Sequence, residues 1–129
     1  MKIHHIGYAV KNMEKAITSF KKLGFTIGEC IDDESRNVRI TFINNEGYDL
    51  ELVAPLCQGS PIDSILAKNG EGPYHICYIT HSMYKTIKDL KTKGFMLIQK
   101  PAPALAIYGQ RVAFLFSISV GLIEIVETI

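Results

Sequence analysis

An internal repeat that spans most of the chain constrains the fold more than any other feature of the sequence. The dipeptide His5-Ile6 returns as His75-Ile76, seventy residues later. Further residues repeat at this offset: Tyr8 and Tyr78, Met13 and Met83, Ile17 and Ile87, and Gly24-Phe25 and Gly94-Phe95. At offsets of 72 and 73, Arg39-Ile40-Thr41-Phe42 returns as Arg111-Val112-Ala113-Phe114, and Leu50-Glu51-Leu52-Val53 returns as Ile123-Glu124-Ile125-Val126. Such register indicates two copies of one supersecondary unit.

Each copy has the pattern of a strand, a helix and three further strands. In the first copy, residues 3–10 are apolar and rich in β-forming types, and residues 12–23 then show helical periodicity. Asn12 is suited to cap this helix and Gly24 to end it. Three strands are expected around residues 25–31, 37–43 and 48–53, separated by turn-forming residues. The order is βαβββ, and the repeat predicts the same order again.

These elements predict an α+β fold of two tandem βαβββ modules, at about residues 1–56 and 73–129, within a single domain. Ser60-Pro61 is expected to open a short helical connector at about residues 60–69. The segment 101–108 is apolar without strand alternation and contains two prolines. It is expected to be a lid or a wall beside a binding pocket, a packed connection or a dimer contact.

Charge and hydropathy exclude several classes of partner. Fourteen Lys and Arg residues oppose thirteen Asp and Glu residues, so the formal net charge of +1 offers no basic field for nucleic acid. The most apolar stretch, residues 112–126, is too short for a membrane span and contains Glu124. The first residues lack the features of a signal peptide. We therefore expect a cytoplasmic protein that binds neither nucleic acid nor membrane.

The three cysteines are Cys30, Cys57 and Cys77. They have no metal-binding spacing and are expected to be reduced and buried.

Strand alternation predicts that four residues of metal-ligand type share one face of the sheet. Because alternate residues of the first strand pack under the helix, His5 points to the opposite face. Glu51 stands between two leucines that take the helix side, so it joins His5. The repeat predicts the same for His75 and Glu124. Pseudo-twofold symmetry would bring the two pairs together.

Two imidazoles and two carboxylates suit a borderline divalent ion such as Zn²⁺, Ni²⁺, Co²⁺, Mn²⁺ or Fe²⁺. A single histidine in a strand is more often an ordinary packed residue than a ligand. Repetition of both residue types within apolar runs favours a metal site, because a carboxylate is costly to bury alone. Parity also predicts that Arg39 and Arg111 face this site, either to bind an anionic substrate or to form ion pairs with Glu51 or Glu124.

Several segments resemble the vicinal oxygen chelate superfamily of glyoxalases, bleomycin resistance proteins and dioxygenases. They are His5-Ile6-Gly7-Tyr8-Ala9-Val10, Glu51-Leu52-Val53-Ala54-Pro55-Leu56, Gly70-Glu71-Gly72-Pro73-Tyr74-His75-Ile76, Arg111-Val112-Ala113-Phe114-Leu115 and Gly121-Leu122-Ile123-Glu124. Within the superfamily the chain is most similar to methylmalonyl-CoA epimerases and lactoylglutathione lyase-like proteins. The resemblance implies a glyoxalase-like fold with a half-open mixed β-sheet cavity, a homodimer, and a divalent ion held by His5, Glu51, His75 and Glu124.

The same resemblance implies a metal-dependent epimerase, isomerase or lyase that transfers a proton next to a metal-polarised carbonyl. The expected substrate is a small anion such as an acyl-CoA or another thioester. Glu124, or alternatively Glu51, is predicted to be the catalytic base. The chain departs from the relatives at three places. Tyr74-His75 stands where the epimerases commonly have a double histidine, and Arg39 replaces a catalytic glutamate of the epimerases. Residues 117–120 replace the Asp-Pro-Asp-Gly turn of bacterial glyoxalase I. A glyoxalase I-type lactoylglutathione lyase and a non-catalytic small-molecule binding protein are the alternatives, and a dioxygenase is disfavoured because it keeps one carboxylate.

Overall fold

A computed structural model describes residues 1–128, which contain eight β-strands and three α-helices. The strands are β1 (Ile3–Ala9), β2 (Thr26–Asp33), β3 (Val38–Asn45), β4 (Tyr48–Pro55), β5 (Gly72–Thr80), β6 (Met96–Pro103), β7 (Arg111–Ser117) and β8 (Gly121–Glu127). The helices are α1 (Met13–Lys22), α2 (Ile62–Asn69) and α3 (Met83–Thr92), with a short 3₁₀ helix at Leu105–Ile107. The predicted α+β class and the two βαβββ modules are confirmed.

The chain divides into two compact units, which follow the repeat closely. The N-unit comprises His5–Tyr74, and the C-unit comprises residues 1–4 together with the chain from His75 onward. Residues 1–4 join the C-unit through the Ile79 N–H, which donates to the Lys2 carbonyl at 2.8 Å. That both modules form a single domain stays a prediction.

The N-unit is a mixed four-stranded sheet covered by α1. Its strand order is β2-β3-β4-β1, with β1 and β4 parallel and the other neighbours antiparallel. As predicted, Asn12 caps α1, because its Oδ1 accepts from the Lys15 N–H at 2.9 Å. Gly24 follows the helix with φ +94°, a conformation that favours glycine. The apolar side of α1 packs on one face of the sheet, in a core of Val10, Met13, Ile43, Leu52 and Ala54.

The C-unit repeats this construction with different side chains. Its strand order is β5-β8-β7-β6, with β5 and β8 parallel. Ser82 caps α3 through its Oγ, which accepts from the Lys85 N–H at 3.4 Å. The core beneath α3 is formed by Met83, Ala113, Leu115, Ile123 and Ile125. Each unit therefore has one helix-covered face, and every second residue of a strand points to the opposite face.

The segment 101–108 is more regular than its composition predicts. Residues 101–103 extend β6, with Ala102 opposite Val112 and Pro103 opposite Arg111, and the 3₁₀ helix follows. Proline is tolerated here because β6 is the edge strand of its sheet. The predicted connector helix is confirmed as α2, and Ser60 Oγ accepts from the Ile62 N–H at 3.4 Å before its first turn.

The cysteines are free in the described residues, but only one is buried. The expectation of burial is confirmed for Cys77 and is wrong for Cys30 and Cys57, which are exposed. Cys30 lies on β2, the edge strand of the N-unit, and Cys57 follows the end of β4. None of the helices within residues 1–128 combines the length and apolar character required to cross a bilayer.

Thr41 is a buried polar residue of the N-unit and provides a test of this packing. Its side chain is fully buried, and its hydroxyl has no hydrogen-bond partner within residues 1–128. Because an unsatisfied buried hydroxyl costs about 1–3 kcal/mol, Thr41→Val is expected to raise the free energy of unfolding by about 1 kcal/mol. The matched control is Thr80→Val. The Thr80 hydroxyl lies 2.6 Å from the Thr86 hydroxyl and accepts from the Ser82 N–H at 3.1 Å, so its loss should lower the free energy of unfolding. Urea denaturation measures both, and a loss of stability in Thr41→Val would contradict this packing.

Candidate metal site

In the N-unit, a histidine and a glutamate from parallel neighbouring strands lie side by side. His5 is on β1 and Glu51 is on β4, where Gly7 and Glu51 are register partners. Since His5 and Gly7 are two residues apart on β1, the side chains of His5 and Glu51 both take the face opposite α1. His5 Nε2 is 3.4 Å from Glu51 Oε1, and the two residues are only 1% and 5% exposed. The predicted pairing within this half is observed.

The C-unit contains the equivalent pair on β5 and β8. Cys77 and Glu124 are register partners, and His75 precedes Cys77 by two residues. His75 Nε2 is 3.1 Å from Glu124 Oε1, and the two residues are 3% and 4% exposed. Cys77 is fully buried on the same face. The repeat therefore reproduces the pair geometry as well as the sequence.

A phenylalanine accompanies each pair, and the sequence argument overlooked it. The ring of Phe42 meets that of His5 edge to face, with centroids 5.2 Å apart and an interplanar angle of 84°. Phe114 meets His75 in the same way, at 5.4 Å and 90°. The signal was available, because Phe42 and Phe114 occupy equivalent positions in the repeated tetrapeptide.

The donor atoms of these pairs suit a divalent cation. Each pair presents an imidazole nitrogen and a carboxylate oxygen, the combination that borderline metal ions accept. All four residues are buried, and each glutamate is flanked along its strand by residues of an apolar core, where an ionised carboxylate is costly without a compensating charge. The described residues thus offer a possible His/Glu metal site.

The expectation that Arg39 faces the ligands is wrong. In the register of β3 and β4, Arg39 is opposite Ala54, and Ala54 belongs to the helix-covered core. The guanidinium instead forms a two-point ion pair with Asp32 on β2, with Nε to Oδ1 at 2.7 Å and Nη2 to Oδ2 at 3.1 Å. The hydrogen bond from Arg39 holds the pKa of Asp32 below its ordinary value.

The corresponding expectation for Arg111 is wrong for the same reason. Arg111 is two residues from Ala113, which lies in the core beneath α3. Its Nη2 donates to Glu127 Oε1 at 2.6 Å, and Glu127 Oε2 accepts from the Met83 N–H at 2.8 Å, at the start of α3. The backbone hydrogen bond from Met83 and the bond from Arg111 together lower the pKa of Glu127. The alternative expectation, an ion pair of either arginine with Glu51 or Glu124, is also wrong.

Comparison with known proteins identifies the family of the chain. The profile of the Glyoxalase/Bleomycin resistance protein/Dioxygenase superfamily matches residues 4–114. The chain belongs to this superfamily. Among relatives in the superfamily, the ethylmalonyl-CoA/methylmalonyl-CoA epimerase of Cereibacter sphaeroides is 31% identical over 116 residues, which cover 88% of this chain and 87% of the relative.

Solved structures agree with this assignment. A hypothetical protein from Bacillus halodurans has a TM-score of 0.89 at 31% identity, over 99% of this chain and 94% of its own. A methylmalonyl-CoA epimerase from Streptomyces coelicolor, solved in complex with 2-nitronate-propionyl-CoA, has a TM-score of 0.83 at 26% identity, over 99% and 97%. The glyoxalase-like fold implied by the sequence resemblance is confirmed.

The role of Glu127 predicts a specific acid dependence of stability. A carboxyl whose pKa is lowered by folding stabilises the folded state above its ordinary pKa of 4.5, and this contribution is lost as the pH falls through the lowered value. Glu127→Gln is therefore expected to flatten the fall in melting temperature below about pH 4.5. The control Glu29→Gln removes a carboxylate that forms no side-chain hydrogen bond or ion pair within residues 1–128, and should leave the slope unchanged. Equal slopes for wild type and Glu127→Gln would contradict this role.

Proposed function

We propose that the protein is a metal-dependent epimerase that transfers a proton at the carbon next to the thioester carbonyl of a small acyl-CoA such as methylmalonyl-CoA. The observation that carries the proposal is the buried histidine–glutamate pair, present at equivalent positions in both units. Superfamily membership and the similarity to methylmalonyl-CoA epimerases support the reaction class.

The proposed ligands of the ion are His5, Glu51, His75 and Glu124. Each histidine–glutamate pair supplies two donors, whereas protein sites for divalent metals normally use three or four. One ion shared by both pairs meets this requirement and also compensates both buried carboxylates. When bound, the ion supplies electrostatic stabilisation of the negative charge that develops on the carbonyl oxygen as the neighbouring carbon loses its proton. The donor set suits Zn²⁺, Ni²⁺, Co²⁺, Mn²⁺ or Fe²⁺.

The proposed proton carriers are the two carboxylates. Epimerisation requires one group to accept the proton from one side of the carbon and another to return a proton from the opposite side. Glu124 is proposed to accept the proton at a carboxylate oxygen, and Glu51 is proposed to act from the other side. His75 Nε2 lies 3.1 Å from Glu124 Oε1 and His5 Nε2 lies 3.4 Å from Glu51 Oε1, so each pair presents its nitrogen and its oxygen close together. A cytoplasmic location and a homodimer stay predictions.

Solvent deuterium incorporation tests the proposed reaction. In D₂O, the metal-loaded protein is expected to introduce deuterium at C2 of methylmalonyl-CoA, detected by mass spectrometry, and to interconvert the two epimers.

A second candidate function is that of a glyoxalase I-type lyase, which is favoured by the presence of two glutamates beside two histidines. It is tested with the hemithioacetal of methylglyoxal and glutathione. Turnover of the hemithioacetal without exchange into methylmalonyl-CoA would select the lyase. Binding of methylmalonyl-CoA without turnover of either compound would indicate a binding protein.

The carboxylates are distinguished by amide substitution. Glu124→Gln is expected to lower the exchange rate at least about 100-fold, because general-base catalysis contributes roughly 10²–10⁴ in rate. Glu51→Gln is expected to abolish epimer interconversion. The control Glu127→Gln changes a carboxylate on the helix-covered face and should retain the wild-type rate. Wild-type exchange by Glu124→Gln would remove that residue from the proton transfer.

A further inference from the structure

We infer that Phe42 and Phe114 are positioning residues that hold the two imidazoles in their ligating orientation and thereby strengthen the binding of the divalent ion. The inference rests on the proposed His–Glu metal site and adds residues that neither the sequence pattern nor the family resemblance assigns to it.

The N-unit shows how one phenyl ring reaches both members of its pair. Phe42 is the register partner of Glu51 across β3 and β4, so their side chains rise from the same face about 5 Å apart. From this position its ring meets the His5 ring at 5.2 Å and 84°. His5 is therefore bordered by the Glu51 carboxylate, 3.4 Å from Nε2, and by an aromatic ring nearly perpendicular to its own.

The C-unit repeats the arrangement independently. Phe114 is the register partner of Glu124 across β7 and β8, and its ring meets His75 at 5.4 Å and 90°. The neighbouring core position differs between the copies, since Thr41 corresponds to Ala113, yet the phenylalanine is present in both. The agreement of distance and angle at the two sites, one in each unit, points to a geometric requirement of the pair.

Edge-to-face contact with a phenyl ring has a direct consequence for an imidazole ligand. A histidine ring normally rotates about its last side-chain bond over a broad range. A perpendicular phenyl ring restricts this rotation, so less conformational freedom is lost when the nitrogen binds an ion. Both phenylalanines are half-buried and also limit the access of water to the pair.

The other aromatic contacts of the N-unit provide a matched control. Phe25 meets Phe20 at 5.3 Å and 84°, which is nearly the geometry of Phe42 and His5. Both Phe20 and Phe25 pack against the core beneath α1, on the face opposite the ligands. Phe25→Leu therefore removes the same kind of contact in the same unit without affecting a histidine.

The experiment compares Co²⁺ affinities of the purified full chain, by competition with a chelating dye and by the visible spectrum of the bound ion. Phe42→Leu and Phe114→Leu are each expected to bind Co²⁺ roughly three- to tenfold more weakly than wild type, whereas Phe42→Tyr, which keeps the ring, stays within about twofold. Phe25→Leu should bind Co²⁺ as wild type does. Melting temperatures of the metal-free variants report packing, and Phe25→Leu and Phe42→Leu should fall by similar amounts.

Unchanged Co²⁺ affinity in Phe42→Leu and Phe114→Leu, or an equal loss in Phe25→Leu, would overturn the inference. The result is separable from the proposed reaction. If the affinities follow the expected order but no deuterium enters methylmalonyl-CoA, the inference stands and the epimerase proposal fails. If exchange occurs and the affinities ignore the phenylalanines, only the inference fails.

Discussion

Burial of a carboxylate beside an imidazole, once in each half of the chain, is the interaction on which the site depends. Glu51 and Glu124 lie in the last strand of their units, between residues that belong to apolar cores. An ionised carboxylate in such a position is destabilising unless another group compensates its charge. An imidazole nitrogen lies 3.1–3.4 Å from the carboxylate in each unit, and the proposed cation would compensate its charge.

The topology explains how residues distant in the sequence form these pairs. In a βαβββ unit the first and last strands are parallel neighbours, so His5 meets Glu51 and His75 meets Glu124. The helix occupies one face of each sheet and leaves the other for the polar pair. The same register places a phenylalanine of the adjoining strand opposite each glutamate. Three strands of each unit thus contribute one side chain apiece to its cluster of histidine, glutamate and phenylalanine.

The sequence predicted the parts of the structure that alternate or repeat. In β1 and β4 one face is apolar and covered by α1, so the orientation of His5 and Glu51 followed from parity. In β3 both faces carry buried residues, Ile40 on one and Thr41 on the other, so hydropathy does not reveal which side a residue takes. The orientation of Arg39 depends on its register with β4, which the sequence does not display. The exposure of Cys30 likewise reflects the position of β2 at a sheet edge.

Arg39 and Arg111 lie on the side of their sheets that carries the helix, not on the side of the His–Glu pairs. Both guanidinium groups are engaged with carboxylates, and the Arg111–Glu127 pair also anchors the start of α3. In the proposed function, an anionic acyl thioester is therefore bound by the cation and by other groups on the face that carries the His–Glu pairs. The proposed cation then serves in substrate binding as well as in proton transfer.

The number of ions bound per chain tests the central claim most directly. Equilibrium dialysis of the purified protein against Zn²⁺, with the bound metal measured by mass spectrometry, is expected to give one tightly bound ion per chain. Removing either pair, with His5→Ala and Glu51→Gln or with His75→Ala and Glu124→Gln, should abolish tight binding altogether. Two ions per chain in the wild type, or an ion retained after the loss of one complete pair, would show that the two halves do not share a cation.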